Sequence, residues 1–214
     1  MPKSYQVIVD HYESTLAKHG DSYLGVDWPN RADAETRYRV HLEVFGHQQR
    51  GNTVSVLDLG CGASHLYDYI LANRIPNIAY SGLDISERFV ALSRAKHPAI
   101  TYYQRDVLED DRAIPIFDYV IMNGVLTEKR EMAFDAMLGY AKALIKVAFR
   151  HARIGLSFNV MSAHVDWERD DLFHLPFDTT AAFLRDEVSP VFVIRNDYGL
   201  YEYTVYIYRK PAWK

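Results

Sequence analysis

The sequence predicts an α/β domain, built as a three-layer, doubly wound sandwich around a mostly parallel, seven-stranded sheet. From Thr53 onward, short runs rich in β-branched residues alternate with segments at helical spacing. Such alternation places helices on both faces of a parallel sheet. The last two strand-like runs flank the turn sequence DYGL, which predicts a hairpin and an antiparallel last strand. Residues 1–52 show no strand pattern, so we expect them to form an N-terminal helical cap, and residues 53–214 to form a single globular unit.

Two helices are predicted in the N-terminal cap. The first covers 5–19 and ends at Gly20, a residue that suits the end of a helix. Either Asn30 or Asp33 caps the second, which runs to about residue 49. Its apolar positions follow the spacing of one helical face: Ala34, Tyr38, Leu42 and Phe45.

The remaining elements follow in alternation. Strands are predicted at 54–59, 78–84, 100–106, 117–123, 153–160, 191–197 and 202–209. Helices are predicted at 64–73, 86–96, 128–151 and 179–187. The helix over 128–151 is the longest, and a continuous apolar stripe runs along it.

Composition narrows the function classes. The chain has 214 residues, of which 49% are hydrophobic and 24% charged, values of an ordinary globular protein rather than a disordered one. A net charge of −4 argues against a nucleic-acid partner. The one Cys excludes an internal disulfide framework and a Cys-rich zinc site, and we expect no metal. No apolar run is long enough for a membrane span, and no secretory signal begins the sequence, so a soluble cytoplasmic protein is expected.

Polar side chains and glycines follow four successive predicted strands. The first strand ends in Asp58 and the glycine loop 60–62, and the second ends in Asp84. Asp106 ends the third strand and Asn123 the fourth. In an open α/β sheet, ligands bind at the carboxyl ends of the strands, and glycines let a ligand approach the backbone closely. A carboxylate at position 84 suits the two hydroxyls of a ribose, and one at 106, flanked by Val107, suits an adenine amino group.

This pattern resembles the class I S-adenosylmethionine-dependent methyltransferases over roughly residues 53–209. The resemblance implies S-adenosyl-L-methionine as cofactor, with Asp84 on its ribose and Asp106 beside its adenine. Segments such as FNVMSAHVDWERDDLFH are similar to bacterial methyltransferase-like proteins with no assigned substrate. The cofactor-binding residues expected on these grounds are Trp28, Arg37, Asp58, Gly60, Cys61, Gly62, His65, Asp84, Ile85, Asp106, Val107, Asn123 and Gly124.

Two other function classes remain open. A nicotinamide-dependent oxidoreductase would need a small residue where His65 follows the two glycines, which disfavours it. A protein that binds the cofactor without turnover would carry the same strand-end pattern. A thermal shift with NAD but none with S-adenosylhomocysteine would indicate the oxidoreductase. Slow turnover of the cofactor with every acceptor would indicate the protein that binds without turnover.

Two expected cofactor contacts have a simpler structural alternative. We expect Arg37 to pair with the methionine carboxylate, beside Trp28, although an Arg solvated near Glu35 is an equal alternative. His65 opens a helix near the methionine part, where packing or capping would also explain it.

Methyl transfer from a sulfonium depends mainly on placing the acceptor, and a base is needed only where the acceptor loses a proton. The segment 159–174 is rich in polar side chains and predicts an acceptor loop, with His164 or His174 as general base and Asn159 as a hydrogen-bonding support. A solvated loop pinned by Trp167 and Phe173 is the alternative. The sequence NGVL after the fourth strand differs from the Asn-Pro-Pro-Tyr type of many amino-group methyltransferases. We therefore expect a small-molecule acceptor, methylated at oxygen rather than nitrogen.

Tyrosines crowd the last predicted hairpin. Cross-strand packing explains them most simply. An oligomer formed through this hairpin is the alternative.

Overall fold

A single mixed sheet runs through the protein. The computed structural model describes residues 3–49 and 52–210. The strands are β1 (Val54–Leu59), β2 (Ile78–Asp84), β3 (Thr101–Gln104), β4 (Phe117–Met122), β5 (Ala152–Ser162), β6 (His174–Leu175), β7 (Phe192–Arg195) and β8 (Glu202–Tyr208). Seven of them lie in the order β3-β2-β1-β4-β5-β8-β7, and the two-residue β6 pairs with the end of β5.

The strand directions confirm the predicted fold class. β1 runs parallel to β2 and β4, and β4 runs parallel to β5. β8 is antiparallel to both β5 and β7. The chain builds the sheet outward from β1 to β3 and then returns to place β4 on the other side of β1. This reversal of strand order opens a crevice at the carboxyl ends of β1 and β4.

Helices cover both faces of the sheet. They are α1 (Gln6–His19), α2 (Arg31–Leu42), α3 (His65–Ala72), α4 (Glu87–Lys96), α5 (Phe134–Arg150) and α6 (Phe177–Glu187), with 3-10 turns at Leu24–Val26 and Glu43–Gln49. Asn30 caps α2, since its side chain accepts from the amide of Ala32 at 2.9 Å. Ser86 caps α4 in the same way through the amide of Phe89. Within the described ranges, no helix is long and apolar enough to cross a membrane.

Two predicted helices have different bounds in the structure. α5 begins at Phe134 instead of 128, because Glu128 forms an antiparallel bridge with Leu172 and Arg130 has a φ of 50°, which a right-handed helix does not allow. The second helix ends at Leu42 and continues as a 3-10 turn, which Gly46 kinks with a φ of 51°. In both places a local backbone conformation interrupts a favourable apolar pattern.

Alternate residues of the strands build two apolar clusters on opposite faces of the sheet. Val120 and Met122 of β4 face a cluster that includes Ile8 of α1 and much of α5. Tyr119 and Ile121 face the other, which includes α2 and Phe45. The three predicted layers are therefore present, and the first two helices pack on different faces.

Candidate active site

A cleft lies at the crevice where the strand order reverses. It has about 870 Å³ of empty space, a figure that includes part of the open solvent at its mouth. The ends of β1, β2 and β4 form its floor, and residues of helices α1 to α5 and of the segment before α2 complete it. Its lining residues are Ile8, Val9, Tyr12, Val26, Trp28, Tyr38, Asp58, Gly60, Cys61, Gly62, Ala63, His65, Leu66, Asp84, Ile85, Ser86, Phe89, Asn123, Gly124, Val125 and Tyr140.

Two glycines on the cleft floor have close neighbours that leave no room for a side chain. Gly60 has a φ of 78°, and a Cβ there would lie 2.4 Å from the side chain of Val125. Gly124 has a φ of 78°, and a Cβ there would lie 2.7 Å from the Trp28 ring. The left-handed backbone and the close approach both require glycine. These two positions bring the turns after β1 and β4 together at the cleft.

Asp84 is held rigidly at the end of β2. One carboxylate oxygen accepts from the amide of Gly62 and the other from the amide of Ser86, both at 2.9 Å. Burial raises the pKa of Asp84, while the amides of Ser86 and Gly62 oppose this change. Each oxygen keeps a further acceptor site, so the fixed carboxylate can bind two hydroxyl groups of a ligand.

Asp58 lies deeper, at the end of β1. Its side chain is buried and accepts from the Tyr80 hydroxyl at 2.7 Å. Burial raises the pKa of Asp58 to about 7, and the negative charge of Asp84 adds to the effect. Asp58 therefore changes charge near neutral pH beneath the cleft.

Two buried polar atoms of cleft residues have no hydrogen-bond partner among the described residues, the Oδ1 of Asn123 and the Nδ1 of His65. The Nε2 of His65 lies 2.9 Å from a carboxylate oxygen of Asp21, which accepts its proton. The Nδ1 atom of the neutral ring then carries a lone pair. Both atoms are acceptors, and an unpaired buried acceptor is costly unless a ligand satisfies it.

Ten of the residues predicted to bind a cofactor line this cleft. They are Trp28, Asp58, Gly60, Cys61, Gly62, His65, Asp84, Ile85, Asn123 and Gly124. Arg37, Asp106 and Val107 do not line it. The predicted catalytic residues, Asn159, His164 and His174, lie outside the lining as well.

Asp106 already has partners from the N-terminal segment. One carboxylate oxygen accepts from the Lys3 ammonium at 2.5 Å and from the Tyr5 hydroxyl at 2.7 Å. The other accepts from the amide of Leu108 at 3.0 Å. Val107 is buried in the apolar cluster that contains α5. Asp106 thus ties the start of α1 to the loop after β3, and its expected contact with an adenine remains a prediction.

Arg37 faces the sheet instead of the cleft. Its Nε donates to the buried carboxylate of Glu202 at 2.8 Å, and its guanidinium lies 4.7 Å from the centre of the Trp28 ring. The expected pairing of Arg37 with a ligand carboxylate is corrected by this contact, because Glu202 already supplies the counter-charge. Trp28 contacts both Arg37 and the Gly124 turn.

Asn159 also supports the cleft from behind. Its Oδ1 accepts from the amide of Gly124 at 2.8 Å, and its Nδ2 donates to Glu202 at 3.1 Å. Asn159 is fully buried, so its hydrogen bonds support the Gly124 turn and do not reach the cleft surface. A continuous path of hydrogen bonds thus connects Arg37, Glu202, Asn159 and the Gly124 turn.

Neither predicted general base is placed for the role. The Nδ1 of His174 lies 2.7 Å from the carbonyl oxygen of Ser162 and donates to it, and its Nε2 accepts from the amide of Arg169 at 3.2 Å. Both ring nitrogens are therefore occupied by the backbone. His164 is exposed, with its ring centre 4.6 Å from that of Phe177.

Strand-end reasoning missed the contribution of α1 to the cleft. Ile8, Val9 and Tyr12 line it, and Tyr12 lies with its hydroxyl 3.4 Å from the carbonyl oxygen of Gly124. Ile8 is the only residue of α1 that is buried, so no strong amphipathic pattern marks the helix in the sequence.

Part of the chain is similar to known proteins. Residues 57–147 match the family described as a methyltransferase domain. The chain is 27% identical over 157 residues to the methyltransferase-like protein Rv1506c of Mycobacterium tuberculosis, covering 72% of this chain and 92% of that protein.

Solved structures share the fold over nearly the whole chain. The magnesium protoporphyrin IX methyltransferase of Synechocystis PCC 6803, solved with S-adenosylmethionine, has a TM-score of 0.66 at 17% identity, covering 98% of this chain and 99% of that one. The plantazolicin methyltransferase BamL, solved with a substrate analogue and S-adenosylhomocysteine, has a TM-score of 0.64 at 11% identity over 96% and 99%. The N-methyltransferase NodS of Bradyrhizobium japonicum WM9, solved with S-adenosylhomocysteine, has a TM-score of 0.61 at 17% identity over 96% and 97%.

Proposed function

We infer that this chain, an enzyme with a methyltransferase domain at residues 57–147, transfers a methyl group from S-adenosylmethionine to a small molecule, and we propose that the acceptor atom is oxygen. The observation that carries the cofactor assignment is the fixed carboxylate of Asp84. It lies at the end of β2, beside the crevice between β1 and β4, with both oxygens oriented by backbone amides. A ribose diol is the ligand group that this arrangement fits.

The unpaired acceptors of the cleft fit the other end of the same cofactor. The Oδ1 of Asn123 and the Nδ1 of His65 need donors, and the α-ammonium of the methionine part offers three N–H groups. Among the described residues, no Lys or Arg lines the cleft. The methionine carboxylate would therefore be held by backbone amides of the turn after β1, at the start of α3.

When bound, S-adenosylmethionine supplies a methyl group on a positively charged sulfur. Because the sulfur is a good leaving group, the transfer needs neither a nucleophilic side chain nor an acid from the protein. The chain's own contribution is to orient the two reactants and to exclude water. Trp28 and Tyr12 close the cleft next to the Gly124 turn, and Ile8 adds an apolar surface from α1. We propose that the acceptor approaches the methyl group between these side chains.

Three features support a small acceptor methylated at oxygen. The segment NGVL after β4 lacks the side chains of the amino-group type, and the net charge of −4 disfavours a nucleic-acid substrate. Two of the structural neighbours carry the name of a small molecule or modified peptide, a magnesium protoporphyrin and plantazolicin. NodS is an N-methyltransferase by name, so the fold itself serves either atom.

The cofactor assignment is tested by titrating the protein with S-adenosylhomocysteine in a calorimeter. Wild type is expected to bind, and Asp84→Asn is expected to bind about 10- to 100-fold more weakly, because hydrogen bonds to a charged group contribute about 1.5–3 kcal/mol. Asp178→Asn, an exposed carboxylate in the first turn of α6, is the matched control and should bind as wild type does. Binding of NAD with no binding of S-adenosylhomocysteine would overturn the assignment.

The acceptor atom is tested by product analysis. The enzyme is incubated with S-adenosylmethionine carrying a labelled methyl group and with paired acceptors that differ only in a hydroxyl or an amino group. Label on the hydroxyl member alone supports O-methylation. Label on the amino member alone refutes it while leaving the methyltransferase assignment intact.

A further inference from the structure

Three side chains of metal-binding type converge next to the cleft, from three distant parts of the chain. His11 comes from α1, Asp27 directly precedes Trp28, and Glu128 follows the turn after β4. One ligand atom of each, a ring nitrogen and two carboxylate oxygens, lies within 4.8 Å of the others. We call this set the His11–Asp27–Glu128 cluster. Glu128 is buried and His11 is half-buried, while 38% of the Asp27 side chain is exposed.

The charges in the cluster are poorly balanced by the protein. Glu128 is only 7% exposed, and within the described part of the chain its one hydrogen-bond partner is Arg130, at 3.2 Å. Arg130 also binds Asp171 at 3.2 Å, so its charge is shared. Ligand atoms of Asp27 and Glu128 lie within 4.8 Å of each other, so their two negative charges repel at short range. A cation placed between Asp27 and Glu128 would remove this cost.

We propose that His11, Asp27 and Glu128 bind a divalent transition-metal cation of the Zn²⁺ or Mn²⁺ class. One imidazole and two carboxylates form a mixed nitrogen and oxygen donor set, which suits these ions and not thiophilic ones. Atoms that share such a cation at about 2.1 Å lie about 3 to 3.5 Å apart. Atoms of the cluster at the 4.8 Å limit would therefore have to move closer, whereas the His11 nitrogen and the Asp27 oxygen, 2.7 Å apart, would have to separate slightly. Arg130 then serves as the outer partner that orients the Glu128 carboxylate, as ligating carboxylates usually require.

The competing arrangement is a hydrogen-bonded pair without metal. The Nε2 of His11 lies 2.7 Å from a carboxylate oxygen of Asp27, and a proton between them stabilises the pair by itself. Glu128 does not take part in that hydrogen-bonded pair, whereas a metal site would need Glu128 as much as the other two residues. The effect of a Glu128 substitution on metal affinity therefore distinguishes the two arrangements.

The location gives the cation a role in the reaction, and this step rests on the proposed function. His11 and Asp27 are the sequence neighbours of Tyr12 and Trp28, which line the cleft. Three protein ligands leave coordination positions open to an oxygen of the acceptor. A hydroxyl bound to a divalent cation would lose its proton to solvent water more readily, so that O-methylation would need no histidine base.

The site is tested with metal alone, on full-length protein without an affinity tag. Zn²⁺ is titrated by calorimetry, and Co²⁺ is titrated by its visible absorption, which reports the ligand set directly. Wild type is expected to bind one equivalent, and His11→Gln, Asp27→Asn and Glu128→Gln are each expected to bind at least about tenfold more weakly. His19→Gln, which changes an exposed histidine on the same helix, is the matched control and should bind as wild type does.

Each variant is checked for folding by its thermal midpoint and by its affinity for S-adenosylhomocysteine. Failure of wild type to bind either metal overturns the proposal, and so does undiminished binding by a folded Glu128→Gln. Because these readouts use no acceptor, a negative result leaves the cofactor assignment untouched. Conversely, if wild type binds metal but does not bind S-adenosylhomocysteine, the proposed function is refuted and the metal site is not.

Discussion

Glu202 carries a buried charge, and the structure predicts how much stability its removal costs. Its side chain is fully buried, and it accepts from Arg37 at 2.8 Å and from Asn159 at 3.1 Å. Glu202→Gln keeps the shape and removes the charge, which leaves the Arg37 guanidinium without a counter-ion. Since only 17% of the Arg37 side chain is exposed, water compensates little of the loss.

The expected cost is about 3 kcal/mol of unfolding free energy. Breaking a buried ion pair by changing one partner costs about 3–5 kcal/mol. The lower end applies, because Arg37 keeps some solvent contact and its place over the Trp28 ring at 4.7 Å. For a chain of 214 residues, about 3 kcal/mol corresponds to a thermal midpoint about 6–12 °C lower.

Urea denaturation measures this cost, and a double-mutant cycle assigns it. Arg37→Met alone leaves Glu202 buried and unpaired, so it should also be strongly destabilising. The double variant should lose less than the two single losses added together, with a coupling energy of about 1–3 kcal/mol. A cost below about 1 kcal/mol for Glu202→Gln, or additive losses in the double variant, would show that the pair does not hold the Trp28 side of the cleft.

Two further predictions concern the cleft floor. Gly60→Ala should lower the unfolding free energy by about 2–4 kcal/mol, because the left-handed backbone disfavours a side chain and because the new Cβ would overlap Val125. In a Val125→Ala background the overlap is absent, and the cost should fall to about 1–2 kcal/mol. An equal cost in both backgrounds would show that the overlap with Val125 does not matter. Asp58 has a folded pKa of about 7 against about 3.9 in the unfolded chain, so the native state holds the extra proton and the stability from Asp58 is lost as pH rises from about 4 through about 7. Urea titrations at pH 5, 6, 7 and 8 should show this loss in wild type and not in Asp58→Asn, and a constant difference between the two would refute it.

The sheet edge was predictable because parallel strands bring their carboxyl ends together. Asp58, Asp84 and Asn123 are far apart in sequence, but the fold class alone places them on one cleft. The glycine at 60 was readable for the same reason, since the turn after the first strand must let a ligand approach. These inferences needed the order of strands and no side-chain detail.

Some residues predicted to be functional have structural partners that no sequence pattern marks. Arg37 binds Glu202, 165 positions later, and no local pattern marks that pairing. His174 has a polar sequence context, yet its ring is used by the backbone of Ser162 and Arg169. Residue type predicts which contacts a side chain can make, whereas the fold determines which partners lie within reach of it.

The His11–Asp27–Glu128 cluster lies beyond sequence reasoning for a related reason. Its members come from a helix, a turn and a loop separated by more than a hundred positions. Metal motifs are recognised in sequences by short fixed spacings, and this set has none. A composition with one Cys likewise argues only against thiolate sites.

The start of α1 has a consequence for turnover. Lys3 and Tyr5 fasten this helix to Asp106, while Ile8 and Tyr12 further along it cover the cleft. An adenosyl ligand bound beneath α1 would leave past this helix, and the contacts of Lys3 and Tyr5 with Asp106 oppose its movement away from the sheet.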